Sequence, residues 1–206
     1  ALTVPTASGA LYEVDTRLRP SGADGLLCAS VESFERYQRE NAWTWEHMAL
    51  TRARVVFGSD DAKTDVTAIV DAVLRAPRDQ AALTVDVVQM RRDMAAHKRP
   101  KGELDVKLLP GGLVDIEFIV HTLQLQTGEG LHPQLGRAIQ ELADAGHFGQ
   151  DFVDADILLS RLLVLVRLVS PDCNIPPEPA QMLIARSLDH DDWHNLMNAV
   201  HAAQDV

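Results

Sequence analysis

The sequence predicts a mainly α protein, a helical bundle preceded by a short β-hairpin. Three observations predict it. From Ser30 onward, apolar residues recur at helical spacing in segment after segment, with short links that favour antiparallel neighbours. Before Ser30 the period is two. In residues 11–20, Tyr12, Val14, Thr16 and Leu18 share one strand face, and Glu13, Asp15, Arg17 and Arg19 share the other. Finally, a 46% hydrophobic fraction over 206 residues supplies a sizeable core for one or two domains.

Residues 1–20 read as the hairpin: a short strand at 2–4, a turn at Thr6-Ala7-Ser8-Gly9, and the charged strand, which stops at Pro20. A two-stranded hairpin is marginal alone, so it is expected to pack on the chain or to be left over from a larger sheet. The charged face carries two acids, then two arginines. Carboxylates suit Mg²⁺ and guanidiniums suit phosphate. A solvated face with cross-strand ion pairs fits the same pattern.

Ser30 caps a helix that carries Val31, Phe34 and Tyr37 on one side. A second helix is expected over 42–57, closed by Gly58, and a third from Asp60 or Asp61 to Pro77. A fourth spans 79–97, with Leu83, Val87, Met90 and Met94 aligned and a basic end at Arg91, Arg92, Lys98 and Arg99. Residues 104–108 alternate and read as extended. Pro110-Gly111-Gly112 turns into an all-round apolar helix over 113–126, which should be buried. Helices over 133–145, 152–169 and 177–188 follow, and the last begins near Asp191. The total is roughly eight.

Thirty acids against nineteen Lys and Arg give a net charge of -11, which disfavours non-specific binding to nucleic acid or anionic membranes. Cys28 and Cys173 form no CxxC pair, and no signal-peptide pattern or membrane-length apolar run is present, so a reducing cytoplasm is expected. His190 and His194 have helical i, i+4 spacing but lack a third metal ligand. Gly111-Gly112 before a helix can bind an anion through helix N–H groups, with Lys107 nearby. Asp115 and Glu117, two residues apart, point to different faces. Arg52 and Arg54 do not share a face either: one can pair with Glu46 inside the bundle while the other reaches a ligand.

Three stretches together resemble glutamine synthetase adenylyltransferase, also called glutamate-ammonia-ligase adenylyltransferase. They are Tyr12-Glu13-Val14-Asp15-Thr16-Arg17-Leu18-Arg19-Pro20-Ser21-Gly22; Glu40-Asn41-Ala42-Trp43-Thr44-Trp45-Glu46-His47 with Leu50-Thr51-Arg52-Ala53-Arg54; and Lys107 with Gly111-Gly112-Leu113-Val114-Asp115-Ile116-Glu117-Phe118. Order and spacing agree over residues 1 to about 126.

The resemblance implies one of two similar halves, each a polymerase-β-type nucleotidyltransferase domain followed by a helical domain. The Trp43–His47 wording is similar to the C-terminal half, which transfers AMP from ATP to a tyrosine of glutamine synthetase. The other half removes it, and the enzyme responds to glutamine and the PII signal protein. Asp15 matches the third of three carboxylates that hold two Mg²⁺, with Glu13 beside it. Arg17, Arg19 and Lys107 are implied to serve the nucleotide phosphates. The other two carboxylates belong to a Gly-Ser…Asp-x-Asp motif, which is absent; Gly58-Ser59-Asp60-Asp61 falls after Asp15 in a helical context. The chain is therefore expected to be a truncated piece, inactive alone: residues 1–27 the remnant of the nucleotidyltransferase domain, residues 28–206 the helical domain. A competing expectation is a non-catalytic module that docks glutamine synthetase or PII. A third is the related uridylyltransferase that modifies PII; its layout is shared, and no match to its signatures stands out.

Overall fold

Nine α-helices, among the described residues, account for the architecture; the computed structural model describes residues 6–7, 9, 14–16, 18–22 and 25–206. They are α1 (Val31–Glu40), α2 (Thr44–Leu50), α3 (Asp60–Leu74), α4 (Gln80–His97), α5 (Leu113–Thr127), α6 (Leu135–Asp144), α7 (Gln150–Val169), α8 (Glu178–Ser187) and α9 (Trp193–Gln204). Side-chain caps start four of them. Ser30, Ser59, Asp79 and Asp192 each accept a first-turn N–H that has no partner inside its helix. Gly128, left-handed at φ 71°, ends α5.

Two apolar cores result. One joins α5–α9 around Val120, Leu159, Leu162 and Leu196, with Leu104 and Val106 of the α4–α5 connector. The other joins α2–α4 around Met48, Val73, Leu83 and Val87, with Phe34 of α1 packed against it. Helix α5 serves both: Ile116 and Val120 enter the first, Leu125 and Phe118 the second. This double use is why its sequence is apolar all round. No described helix is long and apolar enough to cross a membrane.

Three expectations need correction. The hairpin is not supported: an isolated antiparallel bridge closes Thr6 to Gly9, and no strand appears among the described residues. Residues 1–5 and 10–13, which hold most of both expected strands, lie outside the described residues. Val14–Thr16 carries no ladder, as befits a hairpin without further strands beside it. The helix expected over 42–57 ends at Leu50. Thr51 turns its hydroxyl onto the Met48 carbonyl at 2.7 Å and competes with the helical pattern there. The stretch expected to be extended over 104–108 is a set of tight turns. Asp105 holds it together by accepting from the N–H groups of Lys101 (3.0 Å) and Leu108 (3.3 Å). Its alternation was a burial pattern all the same, since Leu104 and Val106 point into the core.

Candidate functional site

The site is built from the segment around Asp15 and two helical stretches. Asp15 is exposed and lies outside every helix. Glu13 and Arg17 lie outside the described residues. Arg19 braces its own loop: Nη1 donates to the Thr16 carbonyl (2.6 Å) and hydroxyl (2.9 Å), and Nε donates to the Gly25 carbonyl (3.2 Å). Beyond it, Ser21 adopts φ 62°, and its backbone opposes the rise that burial gives the Tyr37 hydroxyl on α1. Tyr37 in turn donates to Glu46 on α2, with oxygen separations of 3.0 and 3.2 Å. The Asp15 segment meets the helical body at Leu18, which shares a cavity lining with Phe34 of α1 and Trp45 of α2.

The second and third stretches meet in space. Arg52 lies 3.7 Å from Glu117, and the Thr51 hydroxyl stands 2.9 Å from His121 Nδ1, one turn further along α5. Glu46 does not pair with an arginine. Its other contact is the Trp43 backbone N–H at 2.9 Å, so it closes the start of α2 as well as receiving Tyr37. Arg54 is exposed.

At the head of α5, Asp115 takes Arg91 of α4 in a two-pronged pair (2.5 and 3.0 Å) and accepts the Gly111 N–H at 2.9 Å. The Leu113 and Val114 N–H groups donate to the carbonyls of Val106 (2.9 Å) and Lys107 (3.1 Å). These N–H groups are therefore occupied, which removes the anion site expected there. The glycines serve close packing. Gly111 is left-handed at φ 69°, and a Cβ on it would run into the Gln204 carbonyl at the end of α9; one on Gly112 would meet the Val106 carbonyl. Lys107 is half-buried beside this turn.

Between α1, α2, α4 and α5 lies a cavity of about 520 Å³, walled by Phe34, Trp45, Met48, Met90 and Phe118 and reached by Leu18, Arg52, Glu117 and His121. His121 in the lining, and Asp156 and His47 outside it, are shifted from their ordinary values. Burial pushes the His121 imidazole below its ordinary value, Gln124 and the Glu117 charge pull it up, and Arg52 pushes it down again. Asp156 of α7 is raised by burial; the Ser160 hydroxyl opposes this, and the Glu117 charge adds to it. One of its oxygens, Oδ1, is buried without a partner. His47, whose Nε2 lies 2.9 Å from the Gln38 carbonyl, is likewise lowered, first by burial.

A pH dependence follows. With folded values for His47 and His121 below 6.5, the unfolded chain binds protons first as pH falls through that point. Stability is full above it and falls towards the folded values. The urea unfolding midpoint is expected to be lower at about pH 5.5 than at about pH 7.5; equal midpoints would contradict buried neutral imidazoles.

Sequence reasoning singled out Asp15 and Arg19 but passed over Tyr37, His121, Gln124 and Asp156. The available signal was a polar residue set inside an apolar helical stripe, as at His121 and Gln124. For Mg²⁺, Asp15 has the right donor chemistry, a hard carboxylate oxygen. The number of donors does not fit: no group of three His, Cys, Asp or Glu among the described residues is placed to hold a metal ion.

Two family models match. One described as "Glutamate-ammonia ligase adenylyltransferase" covers residues 1–96, and one described as "GlnD PII-uridylyltransferase" covers residues 82–205. The second match corrects the expectation that no uridylyltransferase signature is present. It falls on α4–α9. Among curated proteins, the chain is 42% identical over 193 residues to the "Bifunctional glutamine synthetase adenylyltransferase/adenylyl-removing enzyme" of Agrobacterium fabrum, covering 89% of this chain and 20% of that protein. The enzyme of the same name from Rhizobium meliloti is 39% identical over 208 residues, 95% of this chain and 21% of the other. That of Brucella suis is 50% identical over 119 residues, 58% of this chain and 12% of the other. The chain spans about a fifth, or less, of the length of these relatives.

Proposed function

The chain belongs to the glutamate-ammonia ligase adenylyltransferase family, and on that premise we propose that it is a segment of the half that transfers AMP from ATP to a tyrosine of glutamine synthetase. The observation that carries this is the likeness to the bifunctional enzymes across nearly the whole chain, motif stretches and helical body together.

In this proposal residues 1–27 belong to the nucleotidyltransferase domain and residues 28–206 to the helical domain behind it. Asp15 is one carboxylate of a two-Mg²⁺ site, with Glu13 beside it. The remaining carboxylates come from outside these 206 residues, because the described ones do not make such a site and the Gly-Ser…Asp-x-Asp motif is absent. Bound Mg²⁺ would supply charge stabilisation around the triphosphate. Arg17 and Lys107 are proposed to face the nucleotide phosphates. Arg19 positions rather than binds, since its guanidinium holds the carbonyls of Thr16 and Gly25. The PII protein is proposed as a regulatory partner. Incubating the 206-residue chain with radiolabelled ATP, Mg²⁺ and glutamine synthetase is expected to label nothing, while the full-length enzyme labels glutamine synthetase. Labelling by the chain alone would refute the division of the site.

A second reading, a helical module that docks glutamine synthetase or PII, draws on one observation. Val85, Val88 and Ile119 leave an apolar α4–α5 face open to solvent. Binding of the chain to each partner in turn measures it.

A further inference from the structure

The cavity described above contains one polar side chain whose proton can be placed from its neighbours. The Thr51 hydroxyl donates to the Met48 carbonyl at 2.7 Å, so towards His121 it can only accept. The Gln124 amide nitrogen donates to the Gly130 carbonyl at 2.5 Å, which turns its oxygen towards the same imidazole. Both atoms at 2.9 Å from His121 Nδ1 are therefore acceptors, and Nδ1 carries the hydrogen.

Nε2 is then a bare lone pair. It has no hydrogen-bond partner among the described residues, and it is not among the side-chain atoms sealed from solvent without one. The ring is only 7% exposed, yet it lines the cavity. Nε2 therefore opens into it. The charged groups of the lining already have partners, Arg52 in Glu117 and Glu46 in the Tyr37 hydroxyl, whereas the neutral Nε2 acceptor has none and is costly to leave so; a neutral donor meets it without adding charge. Phe34, Trp45 and Phe118 offer aromatic surfaces, and Met48 and Met90 adaptable ones. The volume suits a small ligand.

We propose that this cavity is a binding site for an aromatic ring carrying a neutral N–H or O–H donor, the donor bonded to His121 Nε2 and the ring packed between Trp45 and the phenylalanines. That chemistry has two natural sources, the amino group of a purine and the phenol of a tyrosine side chain. The proposal rests on the AMP-transfer reading, whose nucleotide and acceptor tyrosine carry these two groups, and adds the residues that would hold them; it is read by binding rather than by activity, so its failure leaves that reading to its own labelling test.

Two-bond ¹H–¹⁵N spectra of the full chain test it. His121 is expected to show the Nδ1–H pattern. Titration with adenosine in one arm and N-acetyl-tyrosinamide in the other is expected to move Nε2 to saturation in at least one arm, and that arm names the source. N-acetyl-phenylalaninamide, which lacks the hydroxyl, should bind at least about tenfold more weakly than its tyrosine counterpart if the phenol is the ligand. His121→Phe should abolish binding. Ala49→Leu, which adds bulk to the cavity from α2 and leaves Thr51, His121 and Gln124 unsubstituted, should weaken it at least about tenfold while the Nδ1–H pattern persists. An Nε2–H pattern, no response in either arm, or unchanged affinity in Ala49→Leu overturns the proposal.

Discussion

Asp15→Asn, introduced into the full-length enzyme that carries this segment, is expected to lower adenylylation of glutamine synthetase at least about a hundredfold, since even residues behind a metal ligand cost 10–100-fold when lost. The substitution keeps the shape of the side chain and removes its charge. Asp15 is exposed and lies outside every helix, so the thermal unfolding midpoint is expected to move little beside the loss of activity. Loss of activity with an unchanged unfolding curve separates a role in chemistry from a role in folding. Near-normal adenylylation would remove Asp15 from the reacting set and, with it, the two-Mg²⁺ role proposed for the segment.

Gly111→Ala should be strongly destabilising for a single added methyl. Two costs add. Alanine at φ 69° sits in the left-handed region, at roughly 1–2 kcal/mol. The new Cβ also meets backbone rather than a yielding side chain, the Gln204 carbonyl at the end of α9, and forcing such a contact costs roughly 1–3 kcal/mol. A total near 3 kcal/mol lowers Tm by roughly 6–12 °C in a chain of this size. Gly146→Ala is the control. Its φ of 88° carries the same conformational cost, but nothing lies within 4 Å of the added methyl. Calorimetry should find Gly111→Ala clearly worse than Gly146→Ala; equal losses would mean that α9 does not press on the glycine pair.

The helices were legible because a period of 3.6 survives whatever the chain packs against. Ser30 announced its own helix start and Asp79 stood at the start read for the fourth helix, while the third, read from Asp60 or Asp61, is capped by Ser59 just before them. What could not be read was where tertiary contacts interrupt the pattern. The apolar stripe continues past Leu50, yet Thr51 prefers the Met48 carbonyl and His121 to another helical turn. Leu104 and Val106 alternate like a strand, but Asp105 gathers the neighbouring N–H groups into turns. The contacts that define the site are distant in sequence: Thr51 and His121 are 70 residues apart, and Arg91 and Asp115 are 24 apart. Motif resemblance pointed at both stretches without revealing that they touch. Asp115 and Glu117 were rightly read as facing different ways, and each finds its own arginine.

Helix α5 is gripped at both ends. At its head Asp115 is held by Arg91 and the Gly111 N–H; at its tail the Gly128 carbonyl is held by Arg75 at 2.7 Å. Between them its side chains belong to both cores at once. Such a rod can neither slide nor roll a few degrees without disturbing two packed interiors, and packed interiors yield in steps rather than by degrees. It therefore works as a shared axle. A push on the Glu117–His121 side, where Leu18 and the cavity meet the bundle, would bear on both cores at once.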